Sequence, residues 1–289
     1  MIHIVGAGPG AVDLITVRGQ KLLSEADVVI YAGSLVSRDL LDWARQDARI
    51  YDSASMDLEQ VMEVMEQAER DGLTTVRLHT GDPCLYGAIR EQMDGLDARG
   101  IKYDICPGVS SFCGAAAALG MEYTLPGISQ SVVITRMAGR TPVPERESIG
   151  KFAAHGSTMV IFLSAGMTGE LSEELVKGGY PGDTPAAIVY KATWPDEKVV
   201  RCTVATLEET ADREGIHKTA LIVVGNTVAQ TGYERSKLYD PAFTTGFRAG
   251  REIVPGKLEP GTLYVVGMGT RRKKQMTGQA LEVMGRCQS

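Results

Sequence analysis

The residues of this 289-residue sequence that have the means to do chemistry gather in a few short loops. The richest is Leu78-His79-Thr80-Gly81-Asp82-Pro83-Cys84-Leu85-Tyr86-Gly87. Asp82 offers a carboxylate and the loop carbonyls offer partial negative charge, which together suit a small cation or a ribose. Gly81 lets the backbone come close to a ligand because no Cβ intervenes. Pro83 turns Asp82 away from helical angles and keeps the bend stiff. Gly-Asp-Pro is also an ordinary turn, so its setting decides what it does. A second loop, Gly6-Ala7-Gly8-Pro9-Gly10, has the look of a nucleotide-binding turn. A third, Pro107-Gly108-Val109-Ser110-Ser111, leads into a helix of small residues. Ser110 or Ser111 can cap that helix and at the same time present a hydroxyl to a cleft.

The elements that must position these loops follow from hydrophobic periodicity. Strand-like runs at residues 2–5, 74–78 and 102–106 lead directly into the three loops, and further runs lie at 28–30 and 49–51. Helical patterns follow at 13–26, 35–45, 57–70, 88–99 and 112–119. Loops at the carboxyl ends of parallel strands are where open α/β sheets hold ligands. Gly6-x-Gly8-x-x-Ala11 even fits the permissive dinucleotide fingerprint. That fingerprint also needs an acid at the end of the second strand to hold a ribose. Here that strand ends in Tyr31-Ala32-Gly33-Ser34, Asp27 precedes it, and Pro9 stiffens the turn where backbone N–H groups are wanted. A nicotinamide or flavin oxidoreductase is therefore a rival with a weak basis.

The second half of the chain is richer in hairpins. Strands are expected at 131–136, 158–163, 186–190, 198–203 and 220–224, with helices at 168–177 and 207–214. Pro126-Gly127 reads as a joint. The expected organisation is two α/β domains, 1–124 and 125–248, with a cleft between them. The tail, 249–289, reads as an internal repeat of the opening, with a coincidental strand-helix extension as the plain alternative. Shifted by 261 positions, Gly267 and Gly269 fall on Gly6 and Gly8, and Thr277 falls on Thr16. The turn is lost there, since Thr270-Arg271-Arg272-Lys273-Lys274 stands in its place. This reads as the truncated start of a second, related domain, and a poorly packed segment is expected.

Bulk properties remove several classes. The hydrophobic fraction of 44% and charged fraction of 23% are those of a soluble globular protein. A net charge of −6 argues against a nucleic-acid surface, yet leaves room for a local basic pocket. The five cysteines are scattered and the four histidines lie far apart, so no metal site is expected. No apolar run approaches the ~20 residues of a membrane span, and no leader peptide is visible. The expected compartment is the cytoplasm.

Four motifs in order resemble those of the tetrapyrrole methylase family over roughly residues 1–248. They are Val5-Gly6-Ala7-Gly8-Pro9-Gly10, Gly81-Asp82-Pro83 with Tyr86-Gly87, Pro107-Gly108-Val109-Ser110, and Ala220-Leu221-Ile222-Val223-Val224-Gly225. Within the family, Tyr31-Ala32-Gly33-Ser34-Leu35-Val36, Tyr190-Lys191-Ala192-Thr193-Trp194-Pro195-Asp196-Glu197 and Arg235-Ser236-Lys237-Leu238-Tyr239-Asp240-Pro241 are similar to the precorrin-4 C11-methyltransferases. The uroporphyrinogen branch usually has an acid soon after the tyrosine of the second strand, where Ala32-Gly33 stand here.

The resemblance implies two α/β domains with a cofactor trough between them, distinct from the doubly wound methyltransferase fold. It implies a homodimer, S-adenosylmethionine as donor with S-adenosylhomocysteine as product, and a corrinoid of the cobalamin pathway as acceptor, more in keeping with the cobalt-containing route. Another corrin-ring or uroporphyrinogen methyltransferase is the near alternative. A non-catalytic tetrapyrrole carrier is the distant one. Carried over by motif, the donor contacts are Pro9, Thr80, Gly81, Asp82, Leu85, Ser110, Ser111, Leu163, Ala192 and Ala220, with core packing the plain alternative for Leu163 and Ala192. Tyr31 and Ser34 fall on the acceptor side. An acceptor rich in carboxylates needs cations, and Arg136, Arg140 and Lys191 are the candidates. No residue stands out as a general base.

Overall fold

The computed structural model describes residues 1–251, 263–269 and 276–287. Contacts divide the chain into two compact units. The first comprises Met1–Ala115, Lys191–Glu197 and Val265–Ser289, and the second Ala116–Tyr190 and Lys198–Tyr264. The first division thus follows Ala115, inside a helix, and the 191–197 segment belongs with the first unit. Neither feature is visible as a change in composition.

The first unit alternates strand and helix. Its elements are β1 (Ile2–Gly6), α1 (Val17–Glu25), β2 (Val28–Tyr31), β3 (Arg49–Asp52), α2 (Leu58–Arg70), β4 (Thr75–His79), α3 (Ile89–Ala98), β5 (Tyr103–Cys106) and the start of α4 (Ser111–Leu119). The five strands form one parallel sheet in the order β3-β2-β4-β1-β5. Strands buried on both faces read as short apolar runs rather than alternating ones, and β2 is buried at every position. One face packs Val5, Val29, Tyr31, Val76 and Leu78 with Ile15 and Leu23. The other packs Ile2, Val28 and Ile30 with Val61, Met62 and Met65 of α2 and Leu96 of α3. The methionines are thus core filler, as their stripe on the helix suggests. Helix α2 starts where the acid predicts, because Asp57 and Gln60 form a reciprocal capping box.

Two helical expectations are corrected. Helix α1 begins at Val17 rather than 13, since Thr16 caps it through the Gly19 N–H, and Val12–Leu14 form a separate 3-10 turn. The 35–45 pattern yields only a 3-10 segment, Arg38–Trp43, capped by Ser37.

In the second unit β6 (Val132–Arg136), α5 (Ile149–Ala153), β7 (Thr158–Phe162), α6 (Thr168–Lys177), β8 (Pro185–Tyr190), β9 (Lys198–Thr203), α7 (Leu207–Glu214) and β10 (Ala220–Val224) follow in chain order. The sheet is mixed, in the order β6-β7-β10-β8-β9. Only β6 and β7 pair in parallel, and β8 and β9 form the expected hairpin.

The tail divides in two. Residues 263–269 form no strand, and Leu263 and Val265 are exposed. Helix α8 (Gly278–Arg286), in contrast, is docked: Met276 and Ala280 are buried, which corrects the expectation of loose packing there. Thr277 caps α8 through the Ala280 N–H as Thr16 caps α1 through Gly19, each at the position the 261-residue shift assigns. The two threonines also form an antiparallel bridge, and the Val17 N–H donates to the Met276 carbonyl at 2.8 Å. Thr270-Arg271-Arg272-Lys273-Lys274 lies outside the described residues.

Candidate active site

The loops after β1, β4 and β5 meet at the carboxyl end of the first sheet. Gly6, Gly81 and Gly108 come so close that a Cβ on Gly108 would collide with the Gly81 carbonyl oxygen and with Gly6. Gly8 and Gly81 exchange hydrogen bonds, Gly81 N–H to Gly8 carbonyl at 2.8 Å and the reverse at 3.2 Å. Asp82 completes the lock. One carboxylate oxygen accepts the Gly108 N–H at 2.9 Å and the other accepts the Cys84 N–H at 2.8 Å. The carboxylate therefore braces the loop from within. It also keeps Cys84 from acting as a nucleophile: its hydrogen bond, followed by burial, pushes the thiol up to about 11.

The glycine turn after β1 is not a phosphate cradle. The Ala7 and Gly8 N–H groups donate to the His79 and Gly81 carbonyls. Ala11 N–H donates to the Thr193 hydroxyl at 3.0 Å. Trp194 Nε1 donates to the Pro9 carbonyl at 3.0 Å, and its ring covers Gly10 so closely that no Cβ would fit. A pyrophosphate needs these amides free, so the basis for the oxidoreductase reading is gone.

Strain marks the loops that remain. Non-glycine residues in the left-handed region cost about 1–3 kcal/mol each and persist where structure imposes them. Tyr86 (φ 55°) and Ala88 (φ 49°) flank Gly87 in the β4 loop, and Lys191 (φ 45°) and Thr193 (φ 70°) flank Ala192. In the second unit Leu163 (φ 52°) follows β7 and Thr219 (φ 55°) precedes β10. Five of the seven such residues among the described ones thus fall at or beside the motifs, Leu163 is itself a candidate contact, and Gln230 is neither.

The first unit assembles Pro9, Thr80, Gly81, Asp82, Leu85, Ser110 and Ser111 at the loop ends just described, with Ala192 buried in the 191–197 segment beside Thr193. Ser110 is buried, and its carbonyl accepts the Cys113 N–H at 3.0 Å at the head of α4. In the second unit Leu163 follows the end of β7, and Ala220 opens the neighbouring strand β10. Ala220 in turn pairs with Tyr190. Leu163 is 66% exposed, so plain core packing does not explain it.

The acceptor-side candidates fare differently. Tyr31 is 3% exposed in the first unit's core, which corrects its assignment to a binding surface. Ser34 is exposed next to Gly33, whose N–H donates to Asp52 at 2.9 Å. Arg136 spends its guanidinium on the carbonyls of Met137, Thr141 and Pro142 at 2.9–3.1 Å. It staples its own loop rather than standing free. Arg140 is exposed. Lys191 contacts Asp196 at 2.6 Å and lies 5.4 Å over the Trp194 ring.

Sequence reasoning passed over His79. It is 7% exposed at the root of the β4 loop, and its Nε2 is buried without a partner. Burial, then the neighbouring Arg77 charge, pull the imidazole down to about 3, so it is neutral. No motif spacing flags a histidine whose only signal is solvent exclusion.

Residues 1–208 match the model of the Tetrapyrrole (Corrin/Porphyrin) Methylases. The chain belongs to that family. A cobalt-precorrin-4 C(11)-methyltransferase of Methanocaldococcus jannaschii is 52% identical over 247 residues, 86% of this chain and 95% of the relative. The X-ray structure of a cobalamin biosynthetic cobalt precorrin-4 methyltransferase superimposes with a TM-score of 0.77 at 48% identity, covering 78% of this chain and 95% of that one. The uroporphyrin-III C-methyl transferase of Thermus thermophilus, complexed with S-adenosylhomocysteine, gives 0.68 at 25% identity over 80% of this chain and 99% of that one. This methylase therefore has the family's fold of two α/β units.

Proposed function

We propose that this chain transfers a methyl group from S-adenosylmethionine to C11 of cobalt-precorrin-4 or precorrin-4 in cobalamin biosynthesis. The observation that carries the reading is the 52% identity to a cobalt-precorrin-4 C(11)-methyltransferase across nearly that protein's whole length. Bound S-adenosylmethionine supplies a sulfonium whose methyl is already activated toward a carbon nucleophile. The protein's part is to position and to exclude water.

The donor set at the candidate site fits a cationic, partly apolar group. Loop carbonyls, the Thr80 and Ser111 hydroxyls and the neutral His79 present dipoles without a positive charge, and Leu85 offers apolar surface. Pro9, Thr80, Gly81, Leu85, Ser110, Ser111 and Ala192 are the candidate donor contacts of the first unit, and Leu163 and Ala220, taken by themselves, those of the second. Asp82 would act by bracing. For the carboxylates of the acceptor the candidates are Ser34 and Lys191 in the first unit and, by itself, Arg140 in the second.

Labelled S-adenosylmethionine and cobalt-precorrin-4, incubated with the protein, should give one labelled methyl that NMR maps to C11. Label at another ring carbon would move the chain to another branch, and tetrapyrrole binding with no label transferred would make it a carrier. The same preparation should sediment as a homodimer. Exposed Tyr233, Leu238, Tyr239, Phe243 and Phe247 support self-association. Free thiols at all five cysteines support a cytoplasmic setting.

A further inference from the structure

Beneath the β4 loop lies a buried cation that the donor contacts leave unused. Arg77 sits in the middle of β4, 7% exposed, on the strand face opposite Val76 and Leu78. Among the described residues it has no carboxylate partner. Its Nε donates to Gln92 Oε1 at 3.2 Å and its Nη1 to the Ile30 carbonyl at 3.3 Å. Gln92 Nε2 passes the connection on, donating to the Ala88 carbonyl at 3.1 Å. A buried guanidinium without a counter-ion is expensive, and an apolar side chain of similar volume would avoid that cost. Burial lowers its pKa to about 10. The hydrogen bonds of such a group can hold what packing alone would not.

What it holds is specific. Ala88 is the left-handed residue that closes the loop begun at Thr80 and opens α3, and it has no side-chain cap of its own. Ile30 is the residue before Tyr31 at the end of β2. We propose that Arg77 is a positioning residue for methyl transfer: through Gln92 it fixes the Ala88 carbonyl, and thereby the shape of the Thr80–Ala88 loop against the end of β2. The inference rests on the donor-binding reading of that loop and extends it to two residues that do not touch the donor.

Gln92→Glu is the deciding variant. It keeps an acceptor for Arg77, now charged and paired, and removes the donor to Ala88. Wild type, Gln92→Glu, Gln92→Leu and Arg77→Met are compared by thermal unfolding, S-adenosylhomocysteine calorimetry and steady-state kinetics. The expected result for Gln92→Glu is unfolding no earlier than wild type, with S-adenosylhomocysteine affinity about fivefold weaker, the worth of one lost hydrogen bond. The KM for S-adenosylmethionine should rise while that for the tetrapyrrole stays unchanged. Gln92→Leu and Arg77→Met should lose at least as much donor affinity. If one of them fails to fold, Gln92→Glu still decides. Wild-type affinity and KM in Gln92→Glu would overturn the relay alone. A wild-type protein that does not bind S-adenosylhomocysteine would overturn the functional reading and the relay with it.

Discussion

The turn after β1 and the loop after β4 lie side by side, and both are built around glycines, yet they are built for opposite purposes. In the first, every glycine contact is a matter of space. Gly6 admits Gly108, Gly10 admits the Trp194 ring, and the amides at Ala7, Gly8 and Ala11 are spent on neighbouring loops. Those three amides are not free to cradle a pyrophosphate. In the second, two residues that are not glycine are forced into left-handed backbone, one imidazole nitrogen is buried without a partner, and a carboxylate and a guanidinium relay hold the shape from below. Glycine-rich sequence alone does not mark a ligand loop. Strain that the surroundings impose is the better sign.

The largest effect expected from breaking this contrast comes from the space-filling side. Gly108→Val places its side chain into the Gly81 carbonyl and Gly6 backbone, neither of which can yield. Denaturant unfolding should show a loss of roughly 3 kcal/mol or more, or no folded protein at all. A variant as stable as wild type would mean the three loops are not locked.

Acid should act on the β4 side alone, since residues 6–11 carry no titratable side chain. His79 binds protons less readily folded than unfolded, about 3 against 6.5. Its contribution is complete above pH 6.5 and is lost as pH falls toward 3, at up to roughly 1.4 kcal/mol per pH unit. Unfolding free energies measured from pH 7 to 5 should fall for wild type and fall less steeply for His79→Gln. Parallel slopes would show that the imidazole is not held neutral.

The smallest effect sharpens the contrast. Ala88→Gly relieves left-handed strain at a position with no side-chain cap. Stability should rise by about 0.5–1 kcal/mol, while the KM for S-adenosylmethionine rises because the loop is less constrained. A loss of stability would place Ala88 among the ordinary packing positions.

Much of this arrangement was legible before any coordinates. Apolar periodicity located nearly every strand and most helices, and the Asp57 acid and the hairpin turn at 194–197 marked their elements correctly. The same reasoning failed where local signals were faint. The 35–45 stretch carries a helical pattern but folds as a 3-10 segment around Leu40. Tyr31 carries a motif yet lies in the core. Arg136 has a charge suited to carboxylates and spends it on three carbonyls of its own loop. In each case the side chain's partner lies in a contact that composition and spacing do not encode.

What the sequence determined by itself is whatever depends on neighbours a few residues away: strand runs, caps such as Thr16 and its repeat Thr277, and the stiff Gly81-Asp82-Pro83 bend. These follow from backbone sterics and local hydrogen bonding, which any short segment carries with it. The tertiary structure alone decided that Asp82 braces Gly108, that Trp194 closes the first turn from 185 residues away, and that Arg77 reaches Ala88 through Gln92. Those choices depend on which groups burial leaves in need of a partner. That need arises only once the sheet has closed over them.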